Sequence, residues 1–124
     1  MKYFSACSGI GGFELGIGKR GECVGHSEID PFALKIYSKH FPQHKNFGDI
    51  TKIKEIPKHD LFVCGFPCQP FSGAGQRKGF DDPRAKAFQA MLRLIKKYRP
   101  KHIILENVAS MGKKMPKHLS LIHI

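Results

Sequence analysis

The chain has 124 residues and a mass of 14.0 kDa, long enough for one compact domain and short for two. Its 41% hydrophobic and 25% charged residues exclude a disordered, collagen-like or low-complexity polypeptide, and no apolar run reaches the roughly 20 residues of a membrane helix. A formal net charge of +11 suits a polyanionic partner or a merely solubilising surface, and the lack of a signal-peptide pattern points to the cytoplasm.

Lys2 to Cys7 is a short β-prone run that breaks into Ser8-Gly9-Ile10-Gly11-Gly12, a loop of small residues where backbone can come close to another group. A helix is predicted from Phe13 to Lys19, with a stop at Gly21, and a second strand from Glu22 to Ser27, ending in Glu28. Asp30-Pro31 reads as an N-cap followed by a first-turn proline, with Phe32, Ala33, Ile36, Tyr37 and Phe41 on one helical stripe running toward Pro42. Phe47 to Ile50 is expected to form a third short edge. Asp60 to Cys64 is a continuous apolar run of the kind found in buried parallel strands, closed by Gly65.

The stretch from Gly65 to Pro83 is too long and polar for a tight connection and is expected to be a functional loop. Phe88, Met91, Leu92, Ile95 and Tyr98 then recur at the spacing of an amphipathic helix, which Pro100 stops. His102 to Leu105 is a last strand, leading into Glu106-Asn107-Val108. Strands and helices in this alternation predict an α/β fold, a parallel sheet with helices on its faces. Residues 1–124 are expected to be one unit without an interdomain linker. Leu119 to Ile124 leaves no room for another strand-helix unit, so the chain is expected to stop mid-fold or to carry a non-native end.

In open α/β sheets ligands sit at the carboxyl ends of the strands, and the chemically suggestive groups follow predicted strands here. Gly9, Gly11 and Gly12 form either a ligand cradle or a packing turn, and Glu14 stands where a dinucleotide fingerprint would carry its third glycine. Glu28 lies where an acidic residue reaches a ribose, or is a solvated carboxylate. Cys68 lies between Pro67 and Pro70, outside any sheet ladder, and cationic Arg77, Lys78 and Arg84 nearby would favour its thiolate. Its alternative is an inert small hydrophobe, the role expected of Cys7, Cys23 and Cys64. Glu106 could donate a proton if desolvated, and Asn107 beside it offers donor and acceptor, or both merely close a strand-end turn. No Cys-x-x-Cys pair exists, the histidines show no metal-ligand spacing, and neither a zinc site nor a disulfide framework is expected; the histidines are expected at the surface.

Taken together, Ser8-Gly9-Ile10-Gly11-Gly12-Phe13, Glu28, Gly48-Asp49-Ile50, Gly65-Phe66-Pro67-Cys68-Gln69, Gln76 to Arg84 and Glu106-Asn107-Val108 resemble, in order, the N-terminal part of the DNA (cytosine-5)-methyltransferases of the restriction-modification and phage type. The resemblance covers about Phe4 to Met111, and the Pro-Cys-Gln and Glu-Asn-Val pair is its most specific element. It implies a Rossmann-like S-adenosylmethionine-dependent methyltransferase fold, incomplete at the C-terminus.

The resemblance also implies roles. Ser8, Gly9, Ile10, Gly11 and Gly12 would hold the methionine part of S-adenosylmethionine, Glu28 its ribose, Ile29 and Ile50 the adenine faces and Asp49 the adenine amine, with Pro67 closing the cofactor site. Cys68 would be the nucleophile, assisted by Gln69, Glu106 and Asn107, on a cytosine flipped from duplex DNA. Ser72, Arg77, Lys78 and Arg84 would meet the DNA backbone or support the loop. Three positions depart from the family pattern: Cys7 where a bulky residue is usual, Ser5 where an acid is common, and Ala85 in place of a glycine. The family's target-recognition region and returning C-terminal helix are expected to lie beyond Ile124, or on a second polypeptide. A non-catalytic basic nucleic-acid-binding fragment is the alternative reading.

Overall fold

The computed structural model describes residues 1–66 and 85–106. Four parallel strands, β1 (Lys2–Ala6), β2 (Glu22–Ser27), β3 (Leu61–Cys64) and β4 (His102–Leu105), form one sheet in the order β2-β1-β3-β4. Helix α1 (Gly12–Ile17), α2 (Pro31–His40) and α3 (Lys86–Tyr98) lie in the connections. This is the α/β architecture expected from the alternation of elements.

The two-residue side-chain period of a strand divides β1 and β3 between two layers. Phe4 and Ala6 of β1, with Phe62 and Cys64 of β3, pack with Phe88, Ala90, Met91 and Leu94 of α3 and with Ile50, Ile53 and Ile56. Tyr3 of β1, with Leu61 and Val63 of β3, packs with Phe13 and Ile17 of α1 and with Cys23. Helices therefore cover both faces. Of the apolar stripe read from the sequence of α3, Phe88 and Met91 are almost wholly removed from solvent and Leu92, Ile95 and Tyr98 are half-buried, while Ala90 and Leu94, which that stripe left out, complete the buried face.

Local signals explain the ends of the elements. Asp30 caps α2, its carboxylate accepting from the Phe32 amide at 3.0 Å, with Pro31 in the first turn. The chain leaves α3 through Arg99 in the left-handed region at φ 47°, directly before Pro100. Helix α1 is shorter than expected: it ends at Ile17, and Gly18–Arg20 tightens into a 3-10 turn.

The segment from Phe47 to Ile50 is not a strand. Asn46 makes a single bridge to His26, Gly48 turns the chain at φ 78°, and Ile50–Lys52 forms a 3-10 turn. Asp49 decides this locally, because its carboxylate accepts from both the amide (2.9 Å) and the hydroxyl (2.7 Å) of Thr51. The expected loop from Gly65 to Pro83 lies outside the described residues after Phe66, as do Ala109 to Ile124. No helix among the described residues is long and apolar enough to cross a membrane.

Candidate active site

At the carboxyl end of β1 the chain turns through Cys7, at φ 50°, into the glycine loop. The loop is tied to the end of β2: the Ser8 amide donates to the Ser27 carbonyl at 3.0 Å, and the Cys7 amide to the Ser27 hydroxyl at 3.2 Å. It then closes on itself, the Gly11 amide donating to the Ser8 carbonyl at 3.1 Å.

The glycines do different work. Gly11 has φ 97°, and a Cβ there would lie 2.6 Å from Cε2 of Phe41, so the position demands glycine for packing and does not face a ligand space. A Cβ on Gly9 or Gly12 would meet nothing within 4 Å, so these two leave the cavity side of the loop open.

That cavity, of about 450 Å³, is lined by Cys7 to Ile10, Gly12 and Phe13 from the first strand end, and by Gly65 and Glu106 from the ends of β3 and β4. The volume falls within the range of small-molecule sites, roughly 300 to 1,000 Å³. Glu106 reaches it because its amide donates to the Cys64 carbonyl at 2.9 Å, extending the β3–β4 ladder by one residue. A Cβ on Gly65 would stand 3.5 Å from Glu106 Oε2, so the carboxylate lies directly against the point where the chain leaves β3.

Glu28, at the end of β2, braces the loop. Its Oε2 accepts from the Gly9 amide at 2.7 Å, and Oε1 accepts from the amides of Ile29 (2.8 Å) and Asp30 (3.0 Å). Asn46 holds the Glu28 backbone on both sides, accepting from its amide and donating to its carbonyl. Hydrogen bonds from the Thr51 hydroxyl, then from its amide, keep the Asp49 carboxyl below the usual carboxylate range. Ile10 and Ile29 are exposed, whereas Ile50 is buried in the core under α3.

Of the residues singled out in the sequence, Ser8, Gly9, Ile10, Gly12 and Glu106 meet at one cavity. Glu28 touches the same loop through the Gly9 amide. Gly11 and Ile50 serve packing, and Glu106 is exposed. Pro67, Cys68, Gln69, Ser72, Arg77, Lys78, Arg84 and Asn107 lie outside the described residues. Phe13 and Gly65 also line the cavity; their places beside the glycine loop and at the end of an apolar strand were the available signals.

Two histidines correct the expectation of surface positions, because His26 and His59 are buried. His26 stacks on Tyr37 at 3.9 Å between centroids, and burial pushes its imidazole down to about 4. His59 makes a 2.8 Å contact through Nδ1 with the Pro57 carbonyl and packs among Phe4, Phe62 and Tyr98. Among the cysteines, Cys64 is fully buried and its thiol is driven up by desolvation, as suits an inert core residue. No group of three or more metal-ligating side chains occurs among the described residues.

The sequence profile of the C-5 cytosine-specific DNA methylases matches residues 1–122. The chain belongs to that family. Type II methyltransferase M1.ScrFI of Lactococcus lactis subsp. cremoris is 47% identical over 114 residues, covering 89% of this chain and 29% of the relative. Type II methyltransferase M.HhaI of Haemophilus parahaemolyticus is 40% identical over 111 residues, covering 87% of this chain and 34% of the relative. The crystal structure of the S. pombe Dnmt2 methyltransferase superposes with a TM-score of 0.70 at 26% identity, covering 92% of this chain and 38% of that one. This C-5 cytosine methylase chain thus spans about a third or less of the length of these curated relatives.

Proposed function

We propose that the chain supplies the cofactor-binding and nucleophile-bearing part of a restriction-modification enzyme that methylates the 5 position of cytosine in duplex DNA, acting in the cytoplasm. The observation that carries this reading is the cavity itself, where a glycine loop open to space on Gly9 and Gly12 meets the Glu106 carboxylate from another strand end.

The residues fit S-adenosylmethionine. Ser8, Gly9, Ile10 and Gly12 offer backbone at the cavity for its amino-acid end. Glu28 Oε2 already accepts from one amide, and a carboxylate oxygen has a further lone pair for a ribose hydroxyl. Exposed Ile29 and half-buried Asp49 are the candidates for the adenine side, with Ile50 packed in the core as support. When bound, the cofactor supplies an electrophilic methyl group on a sulfonium sulfur.

The chemistry on the base belongs to the chain. Cytosine is a poor carbon nucleophile, so the Cys68 thiolate adds at the 6 carbon and pushes electron density to the 5 carbon. Glu106, in its protonated form, donates to the ring's 3 nitrogen while its other oxygen accepts from the exocyclic amine, stabilising the negative charge that develops on the ring, with Asn107 and Gln69 orienting it. After the 5 carbon is alkylated, its proton leaves to solvent and the sulfur–carbon bond breaks, regenerating the thiolate. Stacking hides the 6 carbon in a duplex, so the base is flipped out, with Ser72, Arg77, Lys78 and Arg84 meeting phosphate.

The test is covalent capture. A duplex carrying 5-fluorocytosine, mixed with the chain and S-adenosylmethionine, should give a denaturant-resistant adduct that Cys68→Ser abolishes. Salt-sensitive DNA binding with no adduct, unchanged by Cys68→Ser, would replace the enzyme reading by that of a basic binding module. Adduct formation only after adding the C-terminal two thirds of a relative would show that a second polypeptide completes the site.

A further inference from the structure

The glycine loop is held at both of its ends by one stacked pair of side chains. At its start, Ser8 Oγ and His26 Nδ1 are 2.8 Å apart, and both residues are buried. At its far end, Glu14 in the first turn of α1 is buried and accepts a hydrogen bond from the Tyr37 hydroxyl at 3.0 Å. His26 and Tyr37 lie face to face, centroids 3.9 Å apart and planes within 13°.

Neither ring is free to move. The His26 amide donates to the Lys45 carbonyl (3.0 Å), and its carbonyl accepts from the Phe47 amide (2.7 Å), fixing the residue on β2. Tyr37 is tied through its hydroxyl to His44 Nδ1 (3.0 Å) as well as to Glu14, and Phe41, the residue that caps the end of α2, closes against Gly11. A neutral imidazole can accept the Ser8 hydroxyl at Nδ1, and burial keeps the ring neutral.

We propose that His26, stacked on Tyr37, is a positioning residue for the cofactor loop, holding Ser8 while Tyr37 holds Glu14. The proposal rests on the cofactor reading above for the identity of the ligand. It does not rest on it for the clamp, which is a property of the loop itself. His26 reaches the cavity only through Ser8, so it acts on affinity and not on the transfer step.

The experiment has two readouts on the full chain. The first is S-adenosylmethionine affinity by calorimetry for the wild type, Ser8→Ala, His26→Phe, His26→Asn and the double variant Ser8→Ala/His26→Phe. Loss of one hydrogen bond predicts a weakening of roughly 2- to 12-fold for Ser8→Ala. His26→Phe, which keeps a stacking ring, should match it, and the double variant should be no weaker than either. His26→Asn, which returns a polar atom near the Nδ1 position, should recover part of the loss. Multiplied losses in the double variant, or unchanged affinity in both single variants, would overturn the proposal. The second readout needs no ligand: amide exchange of Gly11, which donates to the Ser8 carbonyl, should quicken in Ser8→Ala and His26→Phe. Unchanged exchange overturns the clamp. Absence of cofactor binding by the wild type with altered Gly11 exchange sinks the cofactor reading and leaves the clamp standing.

Discussion

On the α3 side of the sheet, Phe4, Phe62, Met91 and Leu94 meet chiefly other apolar side chains, whereas on the α1 and α2 side buried Glu14, His26 and Tyr37 are joined by hydrogen bonds and stacking. Apolar contacts are non-directional and tolerate small displacements, so the first side supplies cohesion. Buried polar groups are costly unless their partners are correctly placed, so the second side specifies one position for the loop that follows β1. The same sheet thus separates holding the fold together from aiming the glycine loop.

Truncation on the apolar side should have the largest effect. Leu94→Ala removes a fully buried side chain and should cost about 2–5 kcal/mol in chemical denaturation, while the amide shifts of Gly9 and Gly12 in the folded fraction stay near wild type. Movement of those shifts as large as in Ser8→Ala would erase the distinction between the faces.

The polar side should show itself in pH. The His26 imidazole has an ordinary value of 6.5 and stands near 4 in the folded chain, so between these limits the unfolded state binds the extra proton. Stability from this group is complete above about 6.5 and declines as pH falls toward 4, at about 1.4 kcal/mol per unit of pH at most. His44 and His59 are shifted in the same direction by burial and add to the slope. Glu28 and His44 are the titratable groups that act on the ring, and urea midpoints measured from pH 4 to 7 should flatten in His26→Phe. A slope identical to wild type would show that His26 does not carry it.

A smaller loss is expected from Tyr37→Phe. The Glu14 Oε2 atom already lacks a hydrogen-bond partner among the described residues, and the variant strips Oε1 as well, a cost of about 1–3 kcal/mol. Equal stability of wild type and variant would mean that the Glu14–Tyr37 bond contributes nothing net. Smallest is Asp49→Ala, which removes the cap of the Ile50–Lys52 turn at about 1 kcal/mol by thermal melting. If that variant shifted Gly9 and Gly12 more than Leu94→Ala does, the turn would belong to the loop-aiming side.

Much of the fold was legible because it rests on period and punctuation. Asp30-Pro31, the stripe from Phe88 to Tyr98 and the apolar runs at β1, β3 and β4 each state their element locally. Phe47 to Ile50 misled because its apolar residues imitate a strand, while Gly48 and the Asp49 to Thr51 hydrogen bonds turn the backbone. On the site, the glycine loop and Glu106 were readable as strand-end residues. The buried histidines were not, because His26 is buried by Ser8, eighteen residues away, and the Tyr37 ring of α2, and His59 by Phe4, Phe62 and Tyr98, which no local pattern encodes. Gly11 was readable as a glycine requirement but not as one set by Phe41, for the same reason.

A nuclear magnetic resonance titration of the labelled chain tests whether the cavity lined by Ser8, Gly9, Ile10, Gly12 and Glu106, with Glu28 beside its loop, holds S-adenosylmethionine. Saturable shifts should concentrate on the amides of Gly9, Gly12, Ile29 and Glu106 and be lost or markedly weakened in Glu28→Ala, with α3 unaffected. Saturable shifts centred on α3, or no saturable shift at the cavity, would contradict binding there.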